Sequence, residues 1–128
     1  RALTYNQMVA RNEPRPSERS ELSDDDIDRL FHALATATRR DILRRTIEHE
    51  QSVSALAADY DMSFAAVQKH VGVLETAGLI VKRAEGRERL VRADPTMIAR
   101  ARALLARYED LWRARVDRLD ALLAEPED

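Results

Sequence analysis

From Ile27 onward, apolar residues recur at helical spacing. Ile27, Leu30, Phe31 and Leu34 line one side of a first helix that ends near Ala35. Ser23 precedes it as a cap, and Asp24, Asp25 and Asp26 fill the first turn, where the helix dipole favours negative charge. A second helix follows, capped by Thr36 or Thr38, with Ile42, Leu43 and Ile47 on its inner side. A third, capped by Ser54 and turning Leu56 and Ala57 inward, is short and ends by Tyr60. Asp61 and Met62 make a tight connection, and Ser63 caps a fourth.

The register of that fourth helix follows from about 100° per residue. Val67, Val71 and Leu74 share the buried side, and His70 lies at its margin. Ala65, Gln68, Lys69, Gly72 and Thr76 point the other way. Gly78 is placed for a left-handed C-terminal cap, after which Leu79 folds back on the helix. The period then changes to two. Leu79 to Arg83 alternate, Glu85 and Gly86 mark a turn, and Leu90 to Arg92 return, which predicts a β-hairpin.

Asp94-Pro95 opens a last helix running to about Leu123. Ile98, Leu105, Trp112 and Leu119 repeat every seven residues, with Ala101, Tyr108 and Leu122 beside them and Arg115 as an interruption. Met97, Leu104 and Leu111 widen the stripe beyond what a small core needs, which predicts a partner helix, most simply that of a second copy.

Composition narrows the function. The 128 residues suit one domain over residues 21–124, after a polar arm at 1–20 carrying Pro14 and Pro16 and before a short tail at 125–128. Met8 follows Arg1 closely, so residues 1–7 come either from an upstream start or from a vector. Scarce glycine and proline favour a mainly α fold. The absence of cysteine excludes disulfides, thiolate metal sites and cysteine nucleophiles. No apolar run reaches membrane-span length and the N-terminus has no signal-peptide core, so a cytoplasmic location is expected. No glycine-rich phosphate loop, paired nucleophile or metal cluster argues for an enzyme, and no cofactor is expected.

The net charge of −2 says nothing of a nucleic-acid partner, but its distribution does. Between Ser63 and Arg92 six cations face three carboxylates, while acidic residues gather at Asp24 to Asp28. The order of a short helix, a tight turn, a capped helix and a basic hairpin describes a winged helix-turn-helix, with residues 63–76 entering the DNA major groove. Small side chains at Ala65, Ala66 and Gly72 permit close approach. Gln68 can bond adenine bidentately, and Lys69 can reach guanine or a phosphate. Arg87 and Arg89, in a wing at 82–92, can reach the minor groove or the backbone. Arg83 and Arg92 are given no role by the pattern.

The stretches LFHALATATRRDIL, SVSALAADYDMSFAAVQKHVGVLETAGLI and KRAEGRERLV resemble the ArsR family of winged-helix repressors. The likeness runs from Asp25 to Leu123. It implies a homodimer, formed through the first and last helices, that binds an inverted-repeat operator and blocks transcription. Position by position, Ser63, Ala65, Ala66, Gln68, Lys69 and His70 match the family's DNA-reading helix and Arg87 and Arg89 its wing. Arg39 or Arg40 matches a basic position near the DNA backbone. Leu30, Ile98, Leu105, Tyr108, Trp112 and Leu119 are the expected dimer residues. Many members sense metals through cysteines, or through histidines and acids of the last helix. Here the histidines are His32, His49 and His70, none on that helix, so no metal site is expected. The ending RYEDLWRARVDRLDALL resembles a metal-independent subgroup, and the effector is left unassigned.

Each feature also has a plainer explanation. Charges on the hairpin can simply protect an exposed strand edge. His70 fits packing or hydrogen bonding at the helix margin better than base reading. Trp112 and Tyr108 fit packing better than a ligand cage. A winged-helix adaptor that binds protein instead of DNA is the alternative, because fold does not fix function.

Overall fold

A computed structural model describes residues 21–124. The arm assigned to residues 1–20 and the tail at 125–128 lie outside the described residues. Five helices and a small sheet follow in order: α1 (Asp24–Ala33), α2 (Ala37–Glu48), β1 (Gln51–Ser52), α3 (Val53–Ala58), α4 (Phe64–Thr76), β2 (Ile80–Glu85), β3 (Glu88–Ala93) and α5 (Pro95–Ala124).

Side-chain chemistry sets most helix starts. Ser23 and Asp26 form a reciprocal capping box, Ser23 Oγ accepting from Asp26 N at 3.1 Å and Ser23 N donating to Asp26 Oδ2 at 3.2 Å. These bonds, with Arg29 next in effect, hold the Asp26 carboxyl below its usual range. Thr36, and not Thr38, caps α2 by accepting from Arg39 N. The cap of α3 is Ser52 and not Ser54: Ser52 Oγ accepts from Ala55 N, and the helix begins two residues earlier than expected. The reason is tertiary, since Val53 is buried in the first turn of α3 while Ser54 is exposed.

The C-terminus of α4 closes as its glycine predicts. Gly78 takes φ +78°. Its N–H donates to Glu75 O at 2.9 Å, and that of Leu79 donates to Leu74 O at 3.1 Å, the paired bonds of a Schellman motif. Leu79 is thereby turned into the core, and its carbonyl accepts from Asp94 N at 2.8 Å, which fixes the base of the hairpin.

The sheet holds one strand more than the alternation shows. Its order is β1-β3-β2, all antiparallel, with Gln51 opposite Val91 and Ser52 opposite Leu90. Two residues are too few to display a period. The hairpin turn is Gly86-Arg87, flanked by the Glu85–Glu88 pair, so Glu85 belongs to the strand and not to the turn. Gly86 has φ +60° and Arg87 a negative φ, which is the type II′ pattern of a two-residue hairpin loop.

The core gathers Ile42, Leu56, Val67, Val71, Leu74, Leu79, Ile80 and Val91, drawn from α2, α3, α4, β2, β3 and the residue that leads into β2. Leu30 and Ala33 of α1 and Leu104 of α5 complete it. Leu30, expected at a dimer surface, is 2% exposed and therefore belongs to the core of its own chain. Ile98 likewise packs against that core. Beyond Leu104 the helix leaves the body. Leu105, Tyr108, Leu111, Trp112, Leu119 and Leu122 are each at least half exposed.

Candidate nucleic-acid interface

α3, the turn at residues 59–63 and α4 form a helix-turn-helix braced from behind by α2. Tyr60 Oη donates to Asp41 Oδ2 at 2.5 Å, and Arg45 Nη2 donates to Asp59 Oδ2 at 2.6 Å. The Arg45 guanidinium also lies over the Tyr60 ring, 5.6 Å from its centroid. The Tyr60 hydroxyl, followed by Arg44, holds the Asp41 carboxyl below its usual range. Burial first, then Asp41, pushes the Tyr60 phenol up. Two adjacent residues at the start of the turn are thus tied to one helix, which fixes where the chain leaves α3 for α4.

α4 presents the face its period predicts. Val67, Val71 and Leu74 are buried, while Ser63, Ala65, Gln68, Lys69 and Thr76 are exposed. Ala66 and Gly72 are half-buried, and a Cβ built on Gly72 meets nothing within 4 Å. The protruding face is therefore narrow, with two long polar side chains, Gln68 and Lys69, rising from small neighbours. Phe64, in the first turn, is 48% exposed and was not singled out from the sequence. By period it continues the Val67–Val71–Leu74 stripe, so the pattern alone gives it a buried place, and only the fold shows that the stripe is uncovered at this first turn.

His70 stands at the back edge of this helix, half-buried, with Nδ1 3.1 Å from Arg39 Nη1. Arginine cannot accept a hydrogen bond, so Nδ1 is the acceptor and its proton is absent. Burial, reinforced by the Arg39 and Lys69 charges, holds the imidazole below its ordinary range. Packing at the helix margin is what the geometry gives this residue.

Arg39 requires a correction. Expected near the DNA backbone, it is only 7% exposed. Its Nε donates to Ala33 O at 3.0 Å and its Nη2 to His32 O at 2.7 Å, alongside the contact to His70. The guanidinium is consumed in joining the C-terminus of α1 to α4. Arg40 is exposed and, among the described residues, its side chain bonds only Leu34 O, at 2.8 Å, so of the pair it alone reaches the surface.

The wing separates its cations by partner. Arg83 is held by Glu50 in a bidentate pair, Nε to Oε2 at 3.0 Å and Nη2 to Oε1 at 2.7 Å, with Glu85 also 3.1 Å away. That pair holds the Glu50 carboxyl below its usual range. Lys82 Nζ lies 3.4 Å from Glu75 Oε1 and docks the hairpin on α4. Arg87 and Arg89 are exposed and have no carboxylate partner among the described residues. Arg89 lies opposite Ala84, on the sheet face shared by Lys82 and Val91, which turns toward α4. No group of three or more His, Cys, Asp or Glu that could hold a metal occurs among the described residues. No described helix is long and apolar enough to cross a membrane.

A helix-turn-helix followed by a basic hairpin and a long terminal helix is the winged helix-turn-helix architecture. The comparisons place the chain within it. Over 81 residues it is 41% identical to the HTH-type transcriptional regulator Rv2034 of Mycobacterium tuberculosis, covering 63% of this chain and 76% of that protein. It resembles the crystal structure of an ArsR family transcriptional regulator with a TM-score of 0.68 and 31% identity, covering 73% of this chain and 96% of the other. An ArsR-like regulator from Rhodococcus sp. RHA1 superposes with a TM-score of 0.69 at 29% identity over 80% and 96% of the two chains. The homodimeric winged helix-turn-helix DNA-binding domain of a possible ArsR-family regulator from Mycobacterium bovis matches with a TM-score of 0.55 at 28% identity, over 70% and 88%. None of the protein-family models matches. The chain belongs to the ArsR family of winged helix-turn-helix transcriptional regulators, and it is a regulator and not an enzyme.

Proposed function

We propose that the protein is a homodimeric, sequence-specific DNA-binding repressor acting on an inverted-repeat operator from within the cytoplasm. The observation that carries this reading is the face of α4, where Gln68 and Lys69 rise from small residues, beside a wing whose Arg87 and Arg89 have no carboxylate partner among the described residues. Such a face fits a major groove, while partnered cations would first have to break an ion pair. Gln68 reads adenine, Lys69 reads guanine or a phosphate, and the exposed Phe64 ring meets a thymine methyl. Arg87, Arg89 and Arg40 bind backbone or minor groove and supply the salt-dependent affinity.

Dimerisation through α5 is supported by its row of exposed Leu105, Tyr108, Trp112 and Leu119, a stripe that nothing among the described residues covers. Two copies of α4 then reach successive major grooves about 34 Å apart, one turn of B-DNA. The test is fluorescence anisotropy with the duplex upstream of the protein's own gene, beside a scrambled duplex, at several salt concentrations. Binding that prefers the upstream duplex and weakens steeply with salt is expected. Equal, weak binding to both would favour the protein-binding adaptor, a reading that the modest surplus of positive charge between Ser63 and Arg92 supports.

A further inference from the structure

Between α1 and α4 runs a groove of about 480 Å³, lined by Arg29, His32, Lys69, Gly72, Val73 and Thr76. Its volume falls in the range of small-molecule sites, roughly 300–1,000 Å³. The floor is apolar and lacks bulk, because Gly72 contributes no side chain and Val73 is half-buried. The rim carries donors. Lys69 has no carboxylate partner among the described residues, and the exposed His32 ring has no hydrogen bond there. Arg29 gives one nitrogen to Asp26, at 2.8 Å, and keeps its other donors.

Apolar floor and cationic rim together complement an amphipathic organic anion. A DNA phosphate fits less well. It would leave the floor unused and bring a run of negative charge against a helix that carries Asp24, Asp25 and Asp28. We propose that this groove is an effector site for a small organic acid, its carboxylate held by Arg29, His32 and Lys69 and its apolar body resting on Gly72 and Val73. The regulatory consequence rests on the DNA-reading role proposed above for α4. Lys69, Gly72 and Thr76 belong both to the groove and to the exposed face of that helix. Acid and operator therefore exclude each other, and the coupling is reciprocal: each weakens the other by the same factor.

The experiment uses the full chain with 2-naphthoate and octanoate as probes, beside 2-naphthamide and octanamide. Two readouts are taken: backbone amide resonances, and anisotropy on operator DNA. A carboxylate probe is expected to shift the resonances of residues 29, 32, 69, 72 and 73 and to weaken DNA binding at least fivefold, with little effect from its amide. Arg29→Ala and His32→Ala, both on exposed positions of α1, are expected to keep the probe-free DNA affinity within twofold and lose the response. Equal effects of acids and amides, no resonance shifts, or an unchanged response in both variants would overturn the proposal. So would a loss of probe-free DNA affinity with a shallower salt slope in Arg29→Ala, which would make the groove a backbone contact. If the wild type binds no DNA at all, the repressor reading fails, while the resonance shifts still decide the groove.

Discussion

Arg39 and His70 are 31 residues apart in sequence, yet the arginine's Nη1 lies 3.1 Å from the imidazole Nδ1, behind the helix that presents Gln68 and Lys69. The same guanidinium holds the Ala33 and His32 carbonyls at the end of α1. One buried cation thus ties the end of α1 to α4. Arg39→Met takes the guanidinium from Ala33 O and His70 Nδ1 and leaves His32 O with only the Ala35 N–H, so it is expected to cost about 2–4 kcal/mol. Urea unfolding of the two proteins would measure it. Arg40→Ala, at an exposed position, should leave the midpoint nearly unchanged.

The pair also makes stability depend on pH. The His70 pKa is depressed in the fold, so the unfolded chain binds the extra proton more readily. Stability therefore falls as pH drops below the ordinary imidazole value of 6.5, and the loss levels off below the folded pKa. Protonation would also place a donor against a donor. His70→Asn keeps an acceptor for Arg39 and removes the titration. Its unfolding midpoint should vary less than that of wild type between pH 7.5 and 5, roughly a unit either side of an unperturbed histidine. Equal slopes in both proteins would assign the acid sensitivity to other groups.

Base reading and backbone contact are separable. Gln68→Ala should relax base preference at one operator position, a discrimination of about 1–3 kcal/mol, with the salt slope intact. Phe64→Ala should abolish the penalty for replacing one operator thymine with deoxyuridine, which lacks the methyl group. Arg87→Ala should weaken all duplexes alike and lower the salt slope by about one. A panel of duplexes titrated at several salt concentrations decides among them. Uniform losses in all three variants would remove the base-reading roles.

Two glycines should respond in opposite senses. Gly78→Ala puts a side chain at φ +78° and a Cβ 2.9 Å from Met97 Cε, so a loss of about 1–2 kcal/mol is expected. Gly72→Ala lies mid-helix in open space and should gain about 0.5–1 kcal/mol. The same methyl stands on the face offered to DNA, so operator affinity should fall while the thermal midpoint rises.

Assembly is predicted to follow α5. Trp112→Asp and Leu119→Asp, on exposed positions, should leave helical content intact and convert dimer to monomer in sedimentation. Leu30→Ala acts differently, because Leu30 is buried in its own chain. It should cost about 2–5 kcal/mol of stability through a core cavity.

What the sequence determined by itself was local. Helix periods, the Ser23 and Ser63 caps, the left-handed Gly78 and the face of α4 depend on residues within a turn or two of each other, and so can be read without the fold. The wing was legible as a hairpin for the same reason, although its turn proved to be Gly86-Arg87. The tertiary structure decided what depends on distant partners. Ser52 takes the cap from Ser54 where Val53 enters the core. β1 exists because Gln51 and Ser52 meet Val91 and Leu90 some forty residues on. Arg39 leaves the surface for three acceptors, Arg83 is taken by Glu50, and Leu30 turns into the core. Burial and ion pairing are set by which elements meet, and a one-dimensional pattern records only which side of each element is apolar.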